Sequence, residues 1–95
     1  MEDYKIEHEE NTSEGSFFVE EGGNRIAELE YIKRGNNINI NHTGVDDSLQ
    51  GKGVGKALVM AAVDWARTSG IKITPSCSYA RALFKKDTTL HDVLG

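Results

Sequence analysis

Hydrophobic and polar positions along this 95-residue chain change period once, near Gly53, and the two halves predict different structure. In the first half apolar residues alternate. Tyr4, Ile6 and His8 predict an opening strand, and Phe17, Phe18 and Val19 within 16–20 predict a second. Ala27, Leu29 and Tyr31 alternate with Glu28 and Glu30, the pattern of a half-buried third strand. Ile38, Ile40 and His42 fall on one face of a fourth, leaving Asn37, Asn39, Asn41 and Thr43 on the other. Turn-forming residues stand between these runs, at Asn11 to Gly15, Gly22 to Asn24 and Gly35 to Asn37. Connections this short permit only antiparallel pairing.

From Gly53 the spacing becomes helical. Val54, Leu58, Ala61, Ala62 and Trp65 recur at intervals of three and four, with Trp65 on the core side, and Gly70 sits where a helix-ending glycine belongs. Ile71 to Thr74 predicts a short strand halted by Pro75, and Tyr79 to Lys86 a short helix with Ala80, Leu83 and Phe84 as its apolar side. The tail carries Leu90, Val93 and Leu94 and is expected to pack loosely. Strand four, helix and strand five form a unit long enough for a parallel crossover, so the sheet should be mixed. The expectation is one α+β domain over residues 1–95, without repeat or linker: a mostly antiparallel sheet of about five strands, one long helix and one short C-terminal helix.

Composition narrows the function classes. A hydrophobic share of 38% and a charged share of 27% describe an ordinary globular chain. The formal net charge of −4 argues against nucleic-acid binding, which needs a basic face. Cys77 is the only cysteine, so an internal disulfide is impossible and a reducing cytoplasm fits best. The acidic start at Glu2 and Asp3 does not resemble a secretory signal, and no apolar run is long enough for a membrane helix. No His, Cys or Asp cluster has metal-ligand spacing, so no metal is expected.

The chemistry concentrates at Gln50-Gly51-Lys52-Gly53-Val54-Gly55-Lys56. Three glycines at a helix start let backbone N–H groups face a ligand together, and the helix dipole and two lysines favour an anion such as pyrophosphate. A P-loop is excluded, because its first glycine would fall on Gln50 and Ala57 replaces its hydroxyl. A dinucleotide fingerprint also fails, with its third glycine on Leu58 or Lys56 and an antiparallel sheet before it. Glycines serving a plain helix start would cost about 1 kcal/mol each relative to alanine if taken into the helix, so ligand contact explains them better.

Gln50-x-x-Gly53-x-Gly55 matches the Q/R-x-x-G-x-G/A loop of the GCN5-related N-acetyltransferases. With His42-Thr43 before it and Pro75-Ser76-Cys77-Ser78-Tyr79 after it, nearly the whole chain resembles the small bacterial members of that superfamily. The resemblance implies an acetyl-CoA co-substrate, with the pyrophosphate on the amides of Gly51, Lys52, Gly53, Val54, Gly55 and Lys56. It implies that strands four and five splay apart to admit the pantetheine arm, with backbone near Val45 bonding it and Tyr79 beside the cofactor. The function implied is acetyl transfer to an unidentified amine, or alternatively an acetyl-CoA-binding sensor or carrier, in a monomer or weak homodimer.

The resemblance also implies roles for two side chains at the strand ends. His42 reads as a general base or water-orienting group, since an imidazole exchanges protons near neutral pH, or else as a histidine packed at the sheet end. Cys77 reads as a covalent acetyl carrier, as an acid for the CoA thiolate, or as a small apolar filler. If the two faced each other they would form an activated thiol. Two departures stand out. Larger members often carry a tyrosine acid in the last helix, where this chain has Phe84, so Tyr79 or Cys77 would have to substitute. The stretch from Asn11 to Ser16 has no room for the two helices that usually follow strand one and build much of the acceptor site.

Overall fold

The computed structural model describes residues 4–95, so Glu2 and Asp3 lie outside it. Five strands run in the order β1-β2-β3-β4-β5: Glu7–Glu10, Glu14–Glu21, Asn24–Arg34, Asn37–Val45 and Lys72–Pro75. The first four pair antiparallel through tight turns, and β5 lies parallel to β4 after a crossover through helix α1, Val54–Ser69. Helix α2, Ser78–Lys86, follows β5, and a 3-10 segment at Thr88–Val93 ends the chain. This is the mixed α+β architecture that the change of period predicts.

Both helices lie on one face of the sheet. The core joins Phe17, Leu29, Tyr31, Ile38 and Ile40 of the strands to Val54, Leu58, Val59, Ala62 and Val63 of α1 and to Ala80 and Phe84 of α2. Each apolar stripe supplies one layer of that core. Three expectations need adjustment. Tyr4 and Ile6 precede β1 instead of forming it, and Leu83 is only half buried. The tail packs closely, with Leu90 and Val93 buried, and Gly95 donates its N–H to the Ile73 carbonyl at 2.8 Å.

The most consequential departure lies in β4. Tyr31 pairs with Ile40 and Glu30 with His42, which leaves Asn41 as an extra residue. A bulge reverses the side-chain alternation beyond it. Ile38 and Ile40 face the helices. After Asn41 it is Thr43 that faces them, opposite buried Leu29, and His42 turns to the other face beside Glu28 and Glu30. The expectation that His42 shares the face of Ile38 and Ile40 is therefore corrected. An inserted backbone residue is invisible to a period-two reading.

Candidate functional site

Strands β4 and β5 part after four pairs. The last joins Ile40 to Pro75, where the Ile40 carbonyl accepts the N–H groups of both Ser76 (2.9 Å) and Cys77 (3.0 Å). Among the described residues, β4 from Asn41 to Val45 has no strand partner on that side. The direction of its peptide groups follows from one bond. Asp46 donates its N–H to the Ile26 carbonyl on the β3 side at 2.8 Å, so alternation turns the Val45 N–H toward the open edge. On that edge Gln50 Nε2 donates to the Val45 carbonyl at 3.1 Å and fastens the loop to the strand.

The glycine loop has the conformation its residues require. Gly51 and Gly53 take φ of 79° and 74°, the left-handed region that L side chains avoid, and Gly53 caps α1. Ala57 is the first residue whose N–H bonds inside the helix, to the Gly53 carbonyl at 3.0 Å. The N–H groups of Val54, Gly55 and Lys56 thus have no intrahelical acceptor. Gly55 has an ordinary helical backbone, and its need for glycine is different. A Cβ there would stand 3.1 Å from the ring end of Tyr79, which lies over the helix start. Burial, then nearby Cys77, pushes the Tyr79 hydroxyl above its ordinary pKa, so it holds its proton at neutral pH.

These pieces border one cavity of about 380 Å³, lined by Thr43, Val45, Leu49, Gln50, Gly51, Gly53, Val54, Gly55 and Tyr79. Most of the expected cofactor-binding residues are brought together there. Lys52 and Lys56 are exposed on the same loop and helix start but are not part of its lining. Thr43 belongs to the His42-Thr43 segment of the resemblance, but alternation places it on the face away from Ile38 and Ile40, and Leu49 has no signal in the sequence. The first is turned inward by the bulge, and the second is buried by the 3-10 turn Asp47–Leu49, which the sequence reading lacks.

Cys77 stands at the rim, where it caps α2. Its Sγ accepts the Ala80 N–H at 3.3 Å and lies 3.3 Å from Thr43 Oγ1. Its partner across the splay is therefore Thr43. His42 projects from the opposite face, with Nε2 3.5 Å from a Glu28 carboxylate oxygen, so the activated Cys77–His42 pair does not form. Glu28, Glu30 and His42 bring ligand-type atoms within 4.8 Å of one another, a grouping made by the fold from residues far apart in sequence. Phe84 is buried in the core at 2% exposure and takes no part in the cavity.

The geometry is a parted pair of parallel strands with a helix start at its mouth whose first N–H groups have no intrahelical acceptor. A family model described as GCN5-related N-acetyl-transferase matches residues 16–93. The chain belongs to that family, which makes it an acyl-CoA-dependent N-acetyltransferase by class, and the family generally uses acetyl-CoA as co-substrate. It is similar to a GCN5-like protein from Staphylococcus aureus solved by NMR, at 39% identity over 100% of this chain and 91% of that one, with TM-score 0.77. An IAA acetyltransferase from Bacillus cereus is 29% identical over 78% of this chain and 53% of its own, with TM-score 0.57. A ribosomal-protein-alanine N-acetyltransferase from Brucella melitensis shares the fold at 17% identity, with TM-score 0.67, over 80% of this chain and 62% of its own. A search of curated proteins returns no match. No helix among the described residues is long and apolar enough to cross a membrane.

Proposed function

We propose that this chain, acting in the cytoplasm, binds acetyl-CoA in the cavity between β4, α1 and α2 and transfers its acetyl group to an amine. The pyrophosphate rests on the N–H groups of Gly51 and of Gly53 to Lys56, the Lys52 N–H being held by the Leu49 carbonyl at 3.2 Å, with the Lys52 and Lys56 side chains adding positive charge. The pantetheine arm takes the place along β4 that β5 vacates. The outward Val45 N–H then polarises the thioester carbonyl without reorganising, as a fixed donor to the developing oxyanion does. Thr43 and Cys77 lie at the mouth of the splay, where the thiolate departs, and Tyr79 covers the helix start. No metal is needed for this chemistry.

One observation carries the reading. The three N–H groups of Val54, Gly55 and Lys56 without helical acceptors open at the head of a cavity that borders the unpaired edge of β4. Titrating acetyl-CoA while recording backbone amide shifts tests it. The largest changes are expected at Gly51 to Lys56 and at Val45, and Lys52→Ala with Lys56→Ala should weaken binding about tenfold or more. Shifts confined to other residues would exclude this site.

A further inference from the structure

Gly55 differs from Gly51 and Gly53 in why it is a glycine. The latter two have φ of 79° and 74°, whereas Gly55, the second residue of α1, has an ordinary helical backbone. Glycine inside a helix is less favourable than alanine, so its own helix gains nothing from it. The space a side chain would take is held by the phenol end of Tyr79. A Cβ on Gly55 would stand 3.1 Å from both Cζ and Oη of that ring. The missing methyl group lets one hydroxyl approach the helix start.

Tyr79 itself is placed for something other than packing. Ala80 and Phe84 of the same helix are buried, but the Tyr79 ring is 43% exposed and borders the cavity. Among the described residues its hydroxyl has no hydrogen-bond partner, although a phenol can both donate and accept. Burial of part of the ring, and then Cys77, hold its proton in place at neutral pH. A neutral phenol donates to an anion, where a phenolate would repel it. The N–H groups of Val54, Gly55 and Lys56 also lack intrahelical acceptors, so backbone and side chain supply donors to the same end of the cavity. Thr43 and Cys77 stand instead at the parting of the strands, 3.3 Å from each other.

We propose that Tyr79 is a positioning residue for the diphosphate and makes the site selective for an acyl thioester carried on a diphosphate. The inference rests on the acetyl-CoA reading and assigns the Tyr79 hydroxyl to binding instead of to protonation of the thiolate. The hydroxyl donates to one diphosphate oxygen while the N–H groups of the helix start hold others, and the ring covers the flank that Gly55 leaves bare. The phenol end lies against Gly55 and not at the parting of the strands, where the thiolate departs. A donor to the diphosphate acts equally on the ground state and the transition state, whereas an acid for the thiolate acts only in the transition state.

Tyr79→Phe keeps the ring and removes the donor. Its melting temperature should match that of the unaltered protein, while its Kd for acetyl-CoA should rise about tenfold, as expected for a lost hydrogen bond to a charged group. Acetyl-pantetheine carries the thioester and the arm without phosphate, and its Kd, read from amide shifts at millimolar concentration, should be unchanged by the substitution. Gly55→Ala pushes the ring aside, so it should weaken acetyl-CoA by itself and add little in the Tyr79→Phe background, the non-additivity of two changes to one contact. Disturbance of the helix start alone would give additive losses and overturn the inference. Unchanged acetyl-CoA affinity in Tyr79→Phe, the result for a thiolate acid, also overturns it, as does an equal loss for acetyl-pantetheine. Acetyl-CoA that moves no amide from Gly51 to Lys56 in the unaltered protein would instead sink the cofactor site itself.

Discussion

At the scale of single residues, Cys77 has two separable functions. Its sulfur caps α2 by accepting the Ala80 N–H, and it faces Thr43 at the rim of the cavity. Cys77→Ser should keep the cap, whereas Cys77→Ala should lose about 0.5–2 kcal/mol in urea unfolding. If the thiol itself takes part in acetyl transfer, both variants lose turnover while acetyl-CoA binding persists, which places the loss in the transition state. Full turnover in Cys77→Ser would leave the sulfur only its capping role. The glycines also divide. Gly53→Ala forces a side chain into the left-handed region and should cost about 1–2 kcal/mol. Gly55→Ala should keep or improve helix stability by up to about 1 kcal/mol. Its methyl group displaces the exposed Tyr79 ring, so acetyl-CoA affinity should fall severalfold with little change in melting temperature.

At the scale of elements, edge strand β1 is held by a polar relay across the sheet. Tyr31 donates its hydroxyl proton to Glu10 at 2.8 Å and therefore accepts from His8 Nε2, 2.6 Å away. The His8 ring stacks on Phe17 with centroids 4.0 Å apart and meets the Trp65 edge at 4.8 Å. Gly15 makes room, since a Cβ there would collide with the Tyr31 hydroxyl. Loss of water on its packed side lowers the His8 pKa, and the Tyr31 hydrogen bond, ahead of Lys33, lowers that of Glu10. Both shifts give stability at neutral pH that acid removes. As pH falls below about 6.5 the unfolded chain protonates His8 first, and the Glu10 contribution follows as pH drops through its folded value. Tyr31 is raised, by burial and then by Glu10, so stability should also decline above about pH 10, where only the unfolded tyrosine ionises. Tyr31→Phe should cost about 1–2 kcal/mol at pH 7 and remove most of the Glu10 step while keeping that of His8. Urea midpoints measured across pH check each limb.

At the scale of the molecule, one sheet face carries both helices, and among the described residues no helix covers the other. The three-residue link between β1 and β2, closed by the Asn11 side chain, leaves no helix to cover it. That face holds an open concavity of about 530 Å³, and the chain spans about half to three-fifths of the Bacillus and Brucella acetyltransferases it resembles in fold. A core this small leaves a narrow margin, since native domains are stable by about 5–15 kcal/mol. Leu58→Ala, at 0% exposure under the sheet, should remove about 2–5 kcal/mol and lower the melting temperature by about 4–8 °C per kcal/mol. Acetyl-CoA at 100 times its Kd should add about 2.7 kcal/mol, and a scan with and without it would show the upward shift. An unchanged melting point at such a concentration would count against binding to the folded state.

The periodicities of the chain determined its class. Alternation before Gly53, three- and four-residue spacing after it and turn residues between the runs state local preferences, and burial of one face of each element required nothing further for a mixed sheet under two helices. The glycine loop was legible for the same reason. Gly51 and Gly53 are needed by their own backbone angles, and Ala57 as the first internally bonded residue follows from helix geometry. What the tertiary structure decided is which side chains meet. One inserted residue, Asn41, exchanges the faces of His42 and Thr43, so Cys77 meets a hydroxyl and His42 meets Glu28 and Glu30. A bulge is set by how two strands pair, and pairing partners far apart in sequence leave no periodic trace in either strand alone.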